Sequence, residues 1–325
     1  MIKFASTMGV NFSNFFQSRP IDPNTAAKQI AGLPVKSAKI FSHEGSDLKF
    51  MTAAQTNGLT LAVGCTNAEL QGLADGKTQS LIGAIKPLAD IVSVVCVGNE
   101  PLGSWQPPAY KNLLIGACEN VRLALASEKL DIGVTVPQNF EFMATSYPPS
   151  AGAVNPDLVG VIKSTCGTMS ATKAPFMVNI YPFITRIQNR QYVPLPYCLF
   201  NAPQSQWVKD GDYTYTNIFD AMLDALHVAL GKIGFPNLEI VVGECGWPTG
   251  GGEPEATIDN ARTFNQALIN HCKSSQGTPR HPGKPIQCFV FEMYDEDKKP
   301  VDAGQFERHW GCYDGNGGAK YKLTW

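Results

Sequence analysis

The sequence predicts an α/β chain folded as a single (β/α)8 barrel of the TIM type over residues 1–325, with an inserted loop subdomain after the sixth strand. Two observations carry this. Eight short apolar runs rich in β-branched and aromatic residues recur along the chain, and segments of helical period lie between them. The runs are nearly continuous in apolar character rather than alternating, as strands are when helices bury both faces. Eight such strands interleaved with helices are the content of a (β/α)8 barrel. A doubly wound sheet would carry a glycine-rich phosphate turn after its first strand, and Gly9-Val10-Asn11-Phe12-Ser13 is not GxGxxG.

In order, the strands are expected at 8–12, 38–41, 59–63, 91–97, 132–136, 176–181, 238–242 and 288–294. After the third, Thr66-Asn67-Ala68-Glu69 has the form of a capping box, with a helix following that Gly72 and Gly76 should break. A long helix should carry Leu113, Leu114, Ala117, Val121 and Leu125 on one stripe. Another bears Ile218, Phe219, Met222, Leu223 and Leu226 and should stop near Gly231, Gly234 and Pro236. A last helix covers 258–268. Residues 182–216 hold Pro194, Pro196, Pro203 and several aromatics without period, and long irregular stretches of this kind usually serve function.

Composition narrows the partners. Apolar residues make up 44% and charged residues 17%, too apolar for disorder. Lys+Arg total 26 against 28 Asp+Glu, and with no basic run to neutralise phosphates a nucleic-acid partner is not expected. No stretch approaches the ~20 apolar residues of a membrane span. The first seven residues lack the apolar core of a secretory leader, so the chain is either intracellular or a form whose leader has been removed. Nine cysteines form no CxxC pair, and neither a metal nor a cofactor is expected.

The chemistry is expected where strands end. The fourth runs Val94-Val95-Cys96-Val97-Gly98-Asn99-Glu100-Pro101, and the seventh Ile240-Val241-Val242-Gly243-Glu244-Cys245-Gly246-Trp247-Pro248 before Gly250, Gly251 and Gly252. Each apolar strand stops at a glutamate, and strands four and seven lie on opposite sides of a barrel mouth. A single strand-end glutamate is more often a loop anchor. Two facing each other are what glycoside hydrolysis needs, one protonated to donate to the leaving oxygen and one ionised to attack or to activate water. Phe12, Phe41, Tyr181, Phe183, Trp247 and Tyr294 fall at or just past strand ends, where rings can stack on sugar faces while Asn99 and Asn179 bond hydroxyls. Trp247, in a Gly/Pro turn beside Glu244, is the favoured stacking platform; Phe12 and Phe41 are as easily core caps.

These motifs resemble glycoside hydrolase family 17, the plant-type 1,3-β-glucanases. Gly243-Glu244-Cys245-Gly246-Trp247-Pro248-Thr249 is similar to the family's glutamate signature and Gly98-Asn99-Glu100 to its Gly-Asn-Glu; Asn179-Ile180-Tyr181-Pro182, Phe291-Glu292-Met293-Tyr294-Asp295-Glu296 and Glu307-Arg308-His309-Trp310-Gly311 follow in order. The resemblance implies a retaining endo-hydrolase of linear β-1,3-glucan, with Glu100 as acid/base and Glu244 as nucleophile. It implies that Asn99 bonds the 2-hydroxyl at the cleavage site and positions Glu100. Glu296, Lys299 and Glu307 correspond to family positions around the nucleophile, where a supporting role is favoured over direct binding of Glu244 or sugar. It further implies a secreted, monomeric protein whose leader has been removed. A β-1,3-glucanosyltransferase or a 1,3;1,4-β-glucanase would use the same two glutamates.

The departures from the family are Cys245 for Ser, Phe12 and Phe41 for Tyr, and Glu292 for Ala. Glu292 needs a partner if buried and is expected to line the cleft. The one glycosylation triplet, Asn11-Phe12-Ser13, falls at a strand end and is expected to be unused. A catalytically silent glucan-binding module would have little reason to keep both acids. A phosphate-cofactor enzyme would not follow Gly250-Gly251-Gly252 with Glu253, which repels phosphate.

Overall fold

The computed structural model describes Phe4 and residues 7–325, so most of the N-terminal stretch searched above for a leader lies outside the described residues. The eight expected strands form one parallel sheet. They are β1 (Met8–Asn11), β2 (Ser37–Ile40), β3 (Thr60–Cys65), β4 (Val92–Val97), β5 (Gly133–Thr135), β6 (Phe176–Asn179), β7 (Ile240–Cys245) and β8 (Gln287–Val290). Their order is β5-β4-β3-β2-β1-β8-β7-β6. Gln138, just past β5, closes the ring onto β6: its N–H donates to the Met177 carbonyl at 3.0 Å and its carbonyl accepts from the Asn179 N–H at 2.7 Å. The barrel is therefore continuous, and every strand end faces one mouth.

Helices cover the sheet because the linking segments carry caps and apolar stripes. The helix α1 (Pro23–Gly32) opens on Asp22, whose carboxylate accepts from Thr25 N–H at 2.9 Å, with proline in the first turn. Next comes α2 (Gly45–Thr56). The capping box at Thr66–Glu69 is formed, and Gly76, at φ +82°, separates α3 (Leu70–Ala74) from α4 (Gln79–Ile85) as its sequence suggested. The long helix is α5 (Tyr110–Ser127), followed by α6 (Val159–Ala171).

The stretch from Pro182, aperiodic in sequence, contains α7 (Pro182–Gln188), α8 (Leu195–Cys198) and a hairpin pairing 208–210 with 213–215. Its elements are too short to show a period. Then α9 (Ile218–Lys232) is capped by Asn217, and α10 (Ile258–Lys273) by Thr257. All nine cysteines are buried free thiols.

Candidate active site

The β4 end is shaped by its backbone. Gly98 stands at φ +75°, where the side-chain oxygen of Asn67 occupies the space a Cβ would need. Asn67 accepts from the Asn99 N–H and donates to the Asn99 carbonyl, both at 2.8 Å. Glu100 then takes φ +51°, a left-handed turn that few side chains adopt, and its N–H donates to the Pro137 carbonyl at 2.8 Å. This turn aims a half-buried carboxylate into the mouth. There Asn179, at the end of β6, donates from Nδ2 to Glu100 Oε1 at 2.8 Å. Burial, and then the charge of Glu244, push the Glu100 carboxyl up to about 7 against the opposing pull of the Asn179 bond.

The β7 end brings the second acid. The strand shifts register between Val242 and Glu244, a bulge that re-aims the side chain. Asn11, from β1, donates to the Gly243 carbonyl at 3.1 Å and ties the bulge to the ring. Glu244 is almost wholly buried. Its Oε1 accepts from Lys39 Nζ at 2.7 Å, and its Oε2 from the Tyr181 hydroxyl at 2.7 Å. Lys39 is 1% exposed; it also donates to Asn99 Oδ1 at 3.2 Å and lies 3.9 Å from the centre of the Phe41 ring. Burial and the Glu244 and Glu100 charges hold the Tyr181 hydroxyl in its neutral, donating form. One acid thus faces a cation and a hydroxyl, the other only an amide.

Beyond β8, Lys299 lies 3.8 Å from Glu296 and 3.4 Å from Glu307, over the ring of Phe291. Burial works against the Lys299 charge, yet Glu292, Glu296, Glu307 and Glu244 together raise it above the ordinary lysine range. Trp310 Nε1 donates to Glu307 at 3.2 Å. The hydrogen bonds to Glu244 come from Lys39 and Tyr181, so Glu296, Lys299 and Glu307 form a charged brace beside the two acids. Glu292 is 1% exposed rather than lining the mouth, and burial, then the Glu296 charge, hold its carboxyl well above the usual range.

The structure brings Glu100, Glu244, Asn99, Asn179, Tyr181 and Phe41 together, and corrects two rings. Trp247, expected as a stacking platform, is fully buried. Its Nε1 donates to the Glu255 carbonyl at 2.8 Å, and its rings pack on Phe183 and Phe264. Arg186 and Arg190 bind Glu255, and Arg190 also binds Glu253, which pins the Gly/Pro turn inward. Phe183 is equally buried, between Trp247, Phe306 and Trp310. Phe12 stacks on Phe50 in the core. Asn11, the acceptor of the glycosylation triplet, is fully buried and committed to Gly243. Asn67 and Asn11, noted in the sequence only for a capping box and a glycosylation triplet, and Lys39, not noted at all, are site-building residues. The only signal was a lysine flanked by Ala38 and Ile40 in a strand needed for the ring.

Residues 22–325 match the glycosyl hydrolases family 17. The chain is 32% identical over 328 residues to a glucan endo-1,3-beta-D-glucosidase of Olea europaea, covering 98% of this chain and 70% of that one. It is 31% identical to glucan endo-1,3-beta-glucosidase 2 of Arabidopsis thaliana, covering 98% of this chain and 64% of that one. Among solved structures it resembles CJP38, a beta-1,3-glucanase and allergen of Cryptomeria japonica pollen, with a TM-score of 0.90 at 28% identity over 98% of this chain and 99% of that one.

Proposed function

The chain belongs to glycosyl hydrolases family 17, and on that premise we propose that it hydrolyses internal β-1,3-glucosidic linkages of a linear glucan with retention of configuration. One observation carries the roles: two carboxyls at one mouth sit in opposite environments. Glu244 is the nucleophile. Lys39 and Tyr181 stabilise its negative charge and fix both of its oxygens, so a lone pair is held in place for the anomeric carbon. Glu100 is the acid/base. Raised to about 7, it keeps its proton in mildly acidic water and gives it to the leaving glycosidic oxygen; it then takes a proton from the water that releases the glycosyl-enzyme. When Glu244 becomes an ester, its charge leaves the site. The largest electrostatic term raising Glu100 leaves with it, and the acid is readied to act as a base.

Asn99, held at its backbone by Asn67 and at its side chain by Lys39, is placed to bond a sugar hydroxyl next to both acids. Phe41 and Tyr181 remain partly open and form the apolar wall against which a sugar ring rests. The substrate is a polysaccharide, and the relatives' activity on 1,3-β-linkages supports this choice of bond.

The test uses a β-1,3-glucan with the Glu244→Ala variant. Turnover should be lost, and added azide should restore it, giving an α-configured glycosyl azide. Near wild-type rates in Glu244→Ala without azide would overturn the assignment.

A further inference from the structure

We propose that the chain carries a site for a divalent transition-metal ion of the zinc class, formed by His43, Glu44 and Glu69 at the loops that follow β2 and β3. Three donor atoms of these residues lie within 4.8 Å of one another. His43 Nε2 stands 3.4 Å from a Glu69 oxygen and 3.8 Å from Glu44 Oε1. A tetrahedral zinc ion with bonds of about 2.1 Å sets neighbouring ligand atoms ~3.4 Å apart; the His43–Glu69 spacing matches this edge, and the exposed Glu44 side chain needs a shift of a few tenths of an ångström to meet it.

His43 supplies the independent observation. The residue is 1% exposed, and its Nε2 is buried without a hydrogen-bond partner, an arrangement that costs free energy unless something occupies the lone pair. Its other nitrogen, Nδ1, faces the Gly64 carbonyl at 3.4 Å. With the proton on Nδ1 and donated to that carbonyl, Nε2 is bare and aimed at the two acids. Zinc-binding histidines are usually oriented by such a second-shell bond.

The carboxylates are prepared for the same purpose. Glu69 uses Oε2 for its capping box, accepting from Thr66 N–H at 2.7 Å and the Thr66 hydroxyl at 2.8 Å, which leaves Oε1 directed at His43. Glu44 Oε1 accepts from the Ser80 hydroxyl at 2.8 Å, which holds it while its side chain stays exposed. An imidazole with two carboxylates suits zinc or cobalt, whereas calcium and magnesium prefer an all-oxygen shell. Glu44, Ser42, Asp47, Thr66 and Glu69 line an open cleft of about 480 Å3, which exposes the two carboxylates to solvent and to an arriving ion, with His43 buried beside them. Once bound, the ion would clip the β2 and β3 loops together two residues beyond Phe41, bracing the mouth without entering the chemistry.

The metal-free full chain is titrated with Co2+ and followed by visible absorption, with Zn2+ binding measured by calorimetry. One equivalent of Co2+ should give d–d bands of a four- or five-coordinate nitrogen and oxygen site, without the near-ultraviolet band of cobalt–thiolate. Zinc at about a hundredfold excess over its Kd should raise the melting temperature by ~2 °C or more. His43→Gln and Glu44→Gln should each weaken binding at least tenfold; Glu44 is exposed enough for its variant to fold as the wild type does. The absence of bands, a thiolate band, or unchanged affinity in Glu44→Gln would overturn the site.

Discussion

Replacing Asn179 by leucine tests how the fold sets the proton of the acid. The asparagine is buried, and its Nδ2 donates to Glu100 Oε1 at 2.8 Å, a bond that favours the charged carboxylate. Leucine keeps the same branching and number of side-chain heavy atoms, though it is bulkier, and cannot donate. A hydrogen bond to an ionised group contributes roughly 1.5–3 kcal/mol, and one pKa unit corresponds to about 1.4 kcal/mol, so Glu100 should titrate ~1–2 units higher. The sign follows from its role: the acid must be protonated to act, so activity falls as pH rises through its pKa, which stands at about 7 in the wild type. The assay is kcat/KM against a soluble β-1,3-glucan across pH, since its limbs report the free enzyme. The alkaline midpoint should move upward by ~1–2 units, whatever happens to the plateau. A midpoint that stays in place, or falls, would refute the claim that Asn179 holds the charged form of Glu100.

Three further outcomes follow from the same contacts. Lys39→Met leaves Glu244 buried without its cation, and breaking a buried pair costs about 3–5 kcal/mol of folding stability, which denaturant unfolding would read; a loss below ~1 kcal/mol would exclude this pairing. Glu100→Gln should be more stable than wild type at neutral pH and equal to it in acid. The folded carboxyl titrates at about 7, above the ordinary glutamate value of 4.5, so its stabilisation is complete below ~4.5 and is lost as pH rises through about 7. The 2.5-unit gap sets a ceiling of about 3 kcal/mol, lowered by the solvent reaching this half-buried group; melting temperatures across pH would show the two curves parting above ~5. Trp247→Phe removes a buried bond to Glu255 and part of the packing on Phe264, and should cost ~2–4 kcal/mol in denaturant midpoint with KM unchanged. A raised KM at unaltered stability would restore the sugar-stacking role.

The barrel was legible because each buried strand had to be apolar, and eight such runs left few other architectures. Glu100 and Glu244 stood out in the sequence only as a pair, because two apolar strands each stop at a glutamate where either alone would read as a loop anchor. Lys39 did not. A lysine in a four-residue strand is ordinarily solvent-facing, and its partner Glu244 is 205 positions away, brought near only when the ring closes. Trp247 misled for the opposite reason: its glycine and proline neighbours suggest an exposed turn, and the arginines that draw that turn inward come from α7 and the residues just after it. Local sequence records which residues lie at a strand end. Whether the Trp247 ring is covered depends on Phe183 and Phe264, which tertiary packing alone brings to it.

The opposite surroundings of two chemically identical acids are a consequence of how the mouth is crossed. Lys39 on β2 reaches Glu244 on β7, and Asn179 on β6 reaches Glu100 at the end of β4, so each acid takes its partner from a strand outside its own. A cation stabilises the ionised form by far more than a neutral amide does, because its attraction is a full charge acting in a poorly screened site. Two neighbouring carboxylates resist double ionisation, and the carboxyl pushed up is the one without the paired cation. Lys39 pairs with Glu244, and the charge of Glu244 pushes the Glu100 carboxyl up against a smaller opposing pull from Lys39 itself. It follows that losing Lys39 should damage the acid as well as the nucleophile, and the alkaline limb of Lys39→Met should shift along with its rate. An Asn179 variant, by contrast, should move the limb while leaving the charge of Glu244 in place.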